Sequence, residues 1–152
     1  MIDVVGRRPE ITRVASWFRD DGPALLLLEG SPGLGKTTIR RAVSDDLRGE
    51  GVHVLSSAPA EAESRLSFSG LADLLGADFA ETRSDLAPPQ SRALAVALRL
   101  EDPGDRPADE TAVARGALET LRAVARRHGR VLLAIDDSRG LLSRRSRGRA
   151  GR

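Results

Sequence analysis

Gly30-Ser31-Pro32-Gly33-Leu34-Gly35-Lys36-Thr37 is the stretch of this 152-residue chain that decides its fold. It matches the phosphate-binding pattern G-x-x-x-x-G-K-[ST] at every specified position. The glycines allow consecutive backbone N–H groups to turn inward around an anion, and a helix that begins near Lys36 adds about half a positive charge at its N-terminus. Residues 30–37, with the following Thr38, are therefore predicted to form a nucleotide phosphate site of the P-loop type.

Two side chains of this loop have specific predicted roles. Lys36 is expected to bridge the β- and γ-phosphates, and the hydroxyl of Thr37 is expected to ligate Mg²⁺. Lys36 is also the only lysine among 24 basic residues, which favours a requirement for an ammonium at this position, since ammonium and guanidinium groups are not equivalent around phosphates. The opposing interpretation is a glycine turn that binds nothing, and the lysine and the context of the loop both count against it.

The segments on both sides of the loop supply that context. Residues 24–29 form a continuous apolar run, which is typical of a strand buried on both faces of a parallel sheet. The helix predicted after the loop presents Ile39 and Val43 on one face, and Gly49 is a candidate C-terminal cap. Residues 52–55 form a second candidate strand, so that a right-handed βαβ unit is expected.

The rest of the chain continues the alternation of strands and helices. Asp109 is expected to cap a long helix that Gly129 ends. A third buried-type strand is predicted over residues 131–135, and further helices over 9–19, 68–75, 90–100 and 110–127. Three parallel strands with covering helices predict an α/β fold, a three-layer P-loop NTPase-type parallel sheet with helices on both faces.

Two acidic residues, Asp136 and Asp137, end the third predicted strand. An acid at the carboxyl end of a central strand points into the crevice where ligands of open α/β sheets bind. Asp136 is therefore expected to hold Mg²⁺ through water, as a Walker B acid does, and Asp137 is a candidate catalytic residue that orients the attacking water. The alternative is a solvated strand end without a functional role.

The predicted nucleotide is ATP. Guanine-specific P-loop proteins use an N-K-x-D motif, and this chain contains no Asn and no second Lys. ATP and Mg²⁺ are therefore the expected cofactors. His53 and His128 do not have the spacing of metal ligands and are expected to be solvated.

The composition is typical of a globular protein that resides in a reducing compartment of the cell. It contains no Cys, and its longest apolar run is far shorter than a membrane span, so a cytoplasmic protein without membrane contact is expected. The 22 acidic residues all lie within residues 1–137, where 18 of the 24 basic residues give a net charge of −4. The remaining six arginines lie within residues 138–152, so the basic character belongs to this tail.

Residues 3–137 resemble the ATPase module at the N-terminus of large LuxR-type transcription regulators, in the AAA-like STAND class of P-loop ATPases. The resemblance rests on residues 5–10, 28–37, 68–75, 86–90 and 135–137. It implies that the turn at Gly6 and Arg7 lies beside the adenine. It also implies a regulatory role, in which nucleotide state and an inducer control assembly and transcription, with DNA contacted only indirectly because this chain has no helix-turn-helix.

The chain departs from that family pattern after Asp137. The family continues with a helix and further strands, one of them inserted between the P-loop and Walker B strands, and the residues from 138 onwards do not match it. We therefore expect a partial ATPase domain over residues 1–137 and a basic tail over 138–152. Out-of-frame sequence after a truncation is the favoured interpretation of the tail, and the alternatives are an inert tail or an arm that binds nucleic-acid phosphates.

A sheet without its inserted strand has consequences for function. Unpaired edges are expected to cause self-association and marginal stability, and hydrolysis of ATP is expected to be weak or absent. Two other functions stay open from the residues alone, a small-molecule kinase of the P-loop class and nucleic-acid binding through the Arg-rich tail.

Overall fold

The computed structural model describes residues 6–20, 25–57, 68–105 and 108–136. A short 3₁₀ turn, Arg83–Asp85, follows the third helix. The helices and strands are, in chain order, α1 Arg8–Arg19, α2 Lys36–Gly49, β1 His53–Ser57, α3 Ser69–Thr82, α4 Pro88–Ala97, α5 Glu110–His128 and β2 Val131–Ile135. Of these described residues, those up to 56 together with 123–136 form one compact unit, and residues 57–122 form a second.

The sheet consists of β1 and β2, which pair in parallel. The α/β class is thereby confirmed, as are the strand predicted over 131–135 and a strand following α2, although β1 begins one residue later than expected and is longer. In the described part of the chain this sheet has two strands and not the three that the sequence predicts. β2 is also less buried than expected, because only Ala134 of its five residues is fully covered.

The prediction of a buried strand ahead of the P-loop is wrong for the described residues of that segment. Residues 25–29 have no regular secondary structure, and the side chains of Leu25 and Leu27 are 79% and 69% exposed. An apolar run becomes a buried strand only if neighbouring strands accept its backbone hydrogen bonds, and β1 and β2 pair with each other without it. Leu28 is the exception in the run, since it packs against the core of the first unit.

The core of the first unit forms where α1 packs on α2. Phe18 of α1 and Ile39, Val43 and Leu47 of α2 are buried together, as the helical spacing of these residues predicts. Burying a side chain of this size stabilises the fold by about 1.5–3 kcal/mol. Trp17 is half-buried against the same cluster.

Charged contacts surround this core. Arg19 at the end of α1 pairs with Asp46 at 3.0 Å and with Glu50. The hydrogen bond to Glu50 is the main reason that the pKa of Arg19 is raised, and the same bond lowers the pKa of Glu50. The guanidinium of Arg130 lies 4.4 Å from the centre of the Phe18 ring and donates to the backbone oxygen of Phe18. These contacts fix the C-terminal end of α1 beside α2 and β2.

The second unit has its own core, formed by α3, α4 and the first part of α5. Phe79, Leu94 and Val113 are buried at its centre. The helices predicted over 68–75 and 90–100 are present with different limits, because α3 runs on to Thr82 and α4 ends at Ala97.

Two of three predicted helix caps are confirmed. The carboxylate of Asp109 accepts a hydrogen bond of 2.7 Å from the backbone N–H of Ala112, and Gly129 follows α5 with a φ of +73°. Gly49 is instead the last helical residue of α2, and Gly51, with a φ of +85°, takes the left-handed conformation beyond it.

Two helical glycines provide a paired test of the second unit's packing. A Cβ added at Gly116 of α5 would lie 2.9 Å from the backbone oxygen of Gln90, whereas one at Gly76 of α3 would meet nothing within 4 Å. We expect Gly116→Ala to lower the free energy of unfolding by about 1–3 kcal/mol through overpacking. Gly76→Ala is expected to raise it by about 0.5–1 kcal/mol through helix propensity. Urea unfolding of both variants tests this, and a stabilising Gly116→Ala would contradict the close packing of α5 on α4.

Candidate functional site

The P-loop occupies the turn that precedes α2. Its predicted residues from Gly30 to Gly35 form irregular turns, and the backbone N–H of Leu34 donates to the carbonyl of Ser31 at 3.4 Å. Gly35 caps α2 with a φ of +80°, a conformation that side-chain-bearing residues rarely adopt. The first helical residue is Lys36, so the N-terminal end of α2 faces the loop as the motif predicts.

The ammonium of Lys36 lies across the opening of this loop. Its Nζ donates to the carbonyl of Gly30 at 2.7 Å and to that of Ser31 at 3.0 Å. Both bonds hold the positive charge within the loop and beside the N-terminal end of α2. A phosphate placed there would meet a side-chain ammonium and the first N–H groups of a helix, which are the donors that anion sites use.

A cavity of about 360 Å³ opens beside Lys36. The residues that line it are Arg7, Glu10, Leu27, Leu28, Glu29, Leu34, Lys36 and Ile39. Its volume lies within the range of small-molecule sites. Two basic and two acidic side chains leave the lining with no formal net charge, so discrimination in favour of an anion depends on the α2 terminus and the placement of Lys36.

Arg7 connects the N-terminal segment to the P-loop. Its Nη2 donates to the carbonyl of Leu34 at 3.0 Å, and its Nη1 pairs with Glu10 at 3.0 Å. The backbone N–H of Glu10 and then this arginine lower the pKa of the Glu10 carboxyl. Gly6 precedes Arg7 and is an exposed turn residue with a φ of +83°. Arg7 therefore borders the same cavity as Lys36, although the two residues lie 29 positions apart in the sequence.

Asp136 follows β2 and makes an ion pair with α2. The Oδ2 atom of Asp136 lies 3.6 Å from the Nε atom of Arg40, and the Nη1 atom of Arg40 donates to the carbonyl of Ala134 at 3.1 Å. The side chains of Arg40 and Asp136 are 12% and 28% exposed. Because 3.6 Å is too long for a hydrogen bond, the buried Nε has no acceptor within the described chain. Leaving such a group unpaired costs about 1–3 kcal/mol.

These positions fit a magnesium nucleotide. Thr37 lies in the first turn of α2 and is half-buried, and Thr38 beside it is exposed. Arg40 lies one helical turn further on, so its ion pair brings the Asp136 carboxylate to the same helix that carries Thr37. A hydroxyl and a carboxylate are oxygen ligands of the kind that Mg²⁺ prefers. Asp137, the predicted catalytic residue, lies outside the described residues.

Three residues of this site were not singled out by the sequence patterns. Glu10 and Glu29 line the cavity, and Arg40 pairs with Asp136. Arg40 follows Lys36 by four positions and shares its helix face, but this local spacing does not indicate the contact with Asp136, which lies 96 positions away in the sequence. Glu10 and Glu29 lie within the segments on which the family resemblance rests, but a carboxylate there does not by itself indicate a site, because surface carboxylates are common on any helix or loop.

His128 is exposed at the end of its helix, as the sequence predicts, and it also contacts His53. Their rings stack with centres 4.0 Å apart and an interplanar angle of 15°. His53 begins β1 and is half-buried, and His128 ends α5. The contact therefore joins the end of α5 to the sheet.

Comparison with protein families agrees with this geometry. Residues 3–142 match the family model described as AAA ATPase domain. The chain belongs to this family. No curated protein and no solved structure gives a significant match. Membership of the AAA ATPase domain family confirms a P-loop nucleotide-binding module of ATPase type.

None of the helices within the described ranges of this AAA ATPase domain combines the length and apolar character that a membrane crossing requires.

Proposed function

We propose that this AAA ATPase domain binds Mg-ATP at the loop of residues 30–37 and acts as a regulatory module. In this proposal Lys36 contacts the β- and γ-phosphates, and Thr37 and Asp136 hold the Mg²⁺, which neutralises phosphate charge when it is bound. Thr38 and the remaining loop residues other than Pro32, which has no backbone N–H, contribute N–H groups. ATP is the nucleotide because the chain lacks the Asn and the second Lys of a guanine motif.

One observation carries the proposal. Lys36 Nζ donates hydrogen bonds to the carbonyls of Gly30 and Ser31. Lys36 begins α2 and lines a cavity of about 360 Å³. A glycine turn that binds nothing would not require an ammonium at this point, whereas a phosphate would. The only lysine in the chain therefore occupies the position where a nucleotide phosphate requires one.

The adenine is proposed to lie towards Gly6 and Arg7. Arg7 borders the cavity and contacts the P-loop backbone at Leu34, so a nucleotide that extends from Lys36 along the cavity would reach it. The planar guanidinium of an arginine stacks readily on an aromatic ring. The regulatory role is the one that the resemblance to LuxR-type regulators implies, with nucleotide state controlling assembly and DNA contacted only through other parts of such a regulator.

Thermal unfolding with and without Mg-ATP tests the proposed binding. Ligand at about 100 times its dissociation constant stabilises the folded state by roughly 2.7 kcal/mol. For a domain of this size, the midpoint is expected to rise by about 5–10 °C. Lys36→Ala is expected to abolish the rise.

Arg41→Ala is the matched control for Lys36→Ala, because Arg41 lies on the same helix and is exposed. It should keep the full rise in melting temperature. An ATP effect that survives in Lys36→Ala would contradict a site at the P-loop, and so would a cooperative melt of the natural chain that ATP does not move.

Hydrolysis is proposed to be weak. Residues 25–29, which lead into the P-loop, lie outside the sheet that contains β2, so no shared ladder of strands aligns Lys36 with Asp136. Catalysis depends on positions held within about 0.5 Å. We expect phosphate release far below about 1 s⁻¹, the lower end of typical enzyme turnover, with little further loss in Asp137→Ala. A turnover typical of enzymes that falls on that substitution would contradict this proposal.

Self-association of two copies is proposed at the unpaired apolar segments of the first unit. Leu25 and Leu27 are exposed ahead of the P-loop, and Leu133 and Ile135 are exposed on β2. A second copy presents the same exposed apolar residues, so contact between two copies would remove them from water on both. In the described part of the chain β2 pairs only with β1, and an unpaired strand edge can pair with another chain. We expect the chain to sediment as a dimer or larger species.

The double substitution Leu25→Lys with Leu133→Lys tests this surface, because charges on an edge oppose pairing. Sedimentation velocity should then show a monomer. Leu118→Lys is the control, since Leu118 of α5 lies in the second unit and is about as exposed as Leu133. Loss of association in Leu118→Lys alone would place the contact elsewhere.

A further inference from the structure

Arg40 is a half-buried cation beside the acid that is proposed to serve the metal. Its guanidinium bonds the carbonyl of Ala134 at 3.1 Å and lies 3.6 Å from the carboxylate of Asp136. Its neighbour on the helix, Arg41, is exposed. Arg40 thus differs from Arg41 in lying against β2 and in placing its charge next to a carboxylate.

The contact is geometrically incomplete. The Nη1 atom has an acceptor, but the Nε atom that faces Asp136 is buried and has no hydrogen-bond partner among the described residues. An arginine that served only to fix the carboxylate would be expected to form the paired, fork-like hydrogen bonds that the guanidinium allows. The observed pair is held by charge at 3.6 Å, and an ion pair without a hydrogen bond can be separated without breaking one.

We propose that Arg40 is the counter-ion of Asp136 in the nucleotide-free chain and sets the Mg²⁺ concentration at which the nucleotide binds. The inference rests on the proposed Mg-ATP site. A guanidinium and a divalent cation repel each other, so both cannot share one carboxylate at close range without loss of free energy. Mg²⁺ therefore has to compete with Arg40 for Asp136. Because of this competition, a higher Mg²⁺ concentration is needed for the nucleotide to bind.

The competition has a mechanical side as well. Arg40 joins α2 to β2 through Ala134 as well as through Asp136. When the carboxylate turns to the metal, the bond from Nη1 to Ala134 can remain, so α2 stays attached to the strand while the ion pair opens. The exchange thus changes the partner of one carboxylate and leaves the packing of α2 in place.

The test is a Mg²⁺ titration of nucleotide affinity. The dissociation constant of a fluorescent ATP analogue is measured from EDTA to saturating Mg²⁺, for the natural chain, Arg40→Gln and Arg40→Met. Removal of the competing charge is expected to lower the Mg²⁺ concentration at the midpoint by about 3–10-fold. Arg40→Lys keeps a charge at this position and should leave the midpoint within about twofold of the natural chain.

Two controls separate competition from a general structural effect. Arg41→Gln removes the same charge from an exposed position on the same helix, and its midpoint should not move. In chains that also carry Asp136→Asn, the substitution Arg40→Gln should no longer change the midpoint, because the contested carboxylate is absent. Thermal unfolding without ligand identifies any variant that fails to fold. If Arg40→Gln fails, Arg40→Met takes its place in the test, because methionine retains an apolar stem like that of arginine.

Several results would overturn the inference. An unchanged or higher Mg²⁺ midpoint in the folded Arg40→Gln or Arg40→Met chain, with affinity lowered equally in EDTA and in Mg²⁺, would make Arg40 a structural clamp. A shift of equal size in Arg41→Gln would make it a long-range charge effect. Nucleotide binding by the natural chain that is absent, or independent of Lys36, would overturn the Mg-ATP site and this inference together, whereas Lys36-dependent binding with an unmoved midpoint overturns the role of Arg40 alone.

Discussion

The position of the P-loop depends on the apolar contact between α1 and α2. In the fold that the sequence predicts, a paired strand would hold the start of the loop, but residues 25–29 do not pair with β1 or β2. Phe18, Val43 and Leu47 are buried between the two helices instead, and α2 carries the loop at its N-terminal end. Each such side chain contributes about 1.5–3 kcal/mol, so this contact holds α2, and with it Lys36, against α1.

The same arrangement explains the division of the candidate site into two parts. Lys36, Thr37 and Arg7 belong to the helical part, because Arg7 precedes α1 and the other two begin α2. Asp136 belongs to the sheet part, at the end of β2. Arg40 connects the parts through one hydrogen bond and one ion pair. In the proposed function Lys36 contacts the phosphates from the helical part, whereas the metal takes a ligand from each part, which is why binding and hydrolysis are proposed to differ.

Much of the site could be predicted from the sequence because its signals are local. The glycines of the loop, the start of a helix at Lys36 and the caps at Asp109 and Gly129 depend on residues a few positions apart. The strand over 131–135 and the acid that follows it were also recognisable from the chain alone. The strand predicted over 24–29 is wrong for the described residues 25–29, since an apolar run indicates that a segment can form a strand and not whether a neighbouring strand is present to pair with it.

The sequence by itself determined the phosphate loop, the α/β class and the acidic residue that ends β2, because each follows from backbone conformation or from short-range periodicity. Tertiary structure alone decided that Leu25 and Leu27 remain exposed, that Arg7 reaches the carbonyl of Leu34, and that Arg40 faces Asp136. Arg40 and Asp136 are 96 positions apart in the sequence. Such a pairing depends on how α2 packs against β2, and no local pattern in the chain encodes that distance.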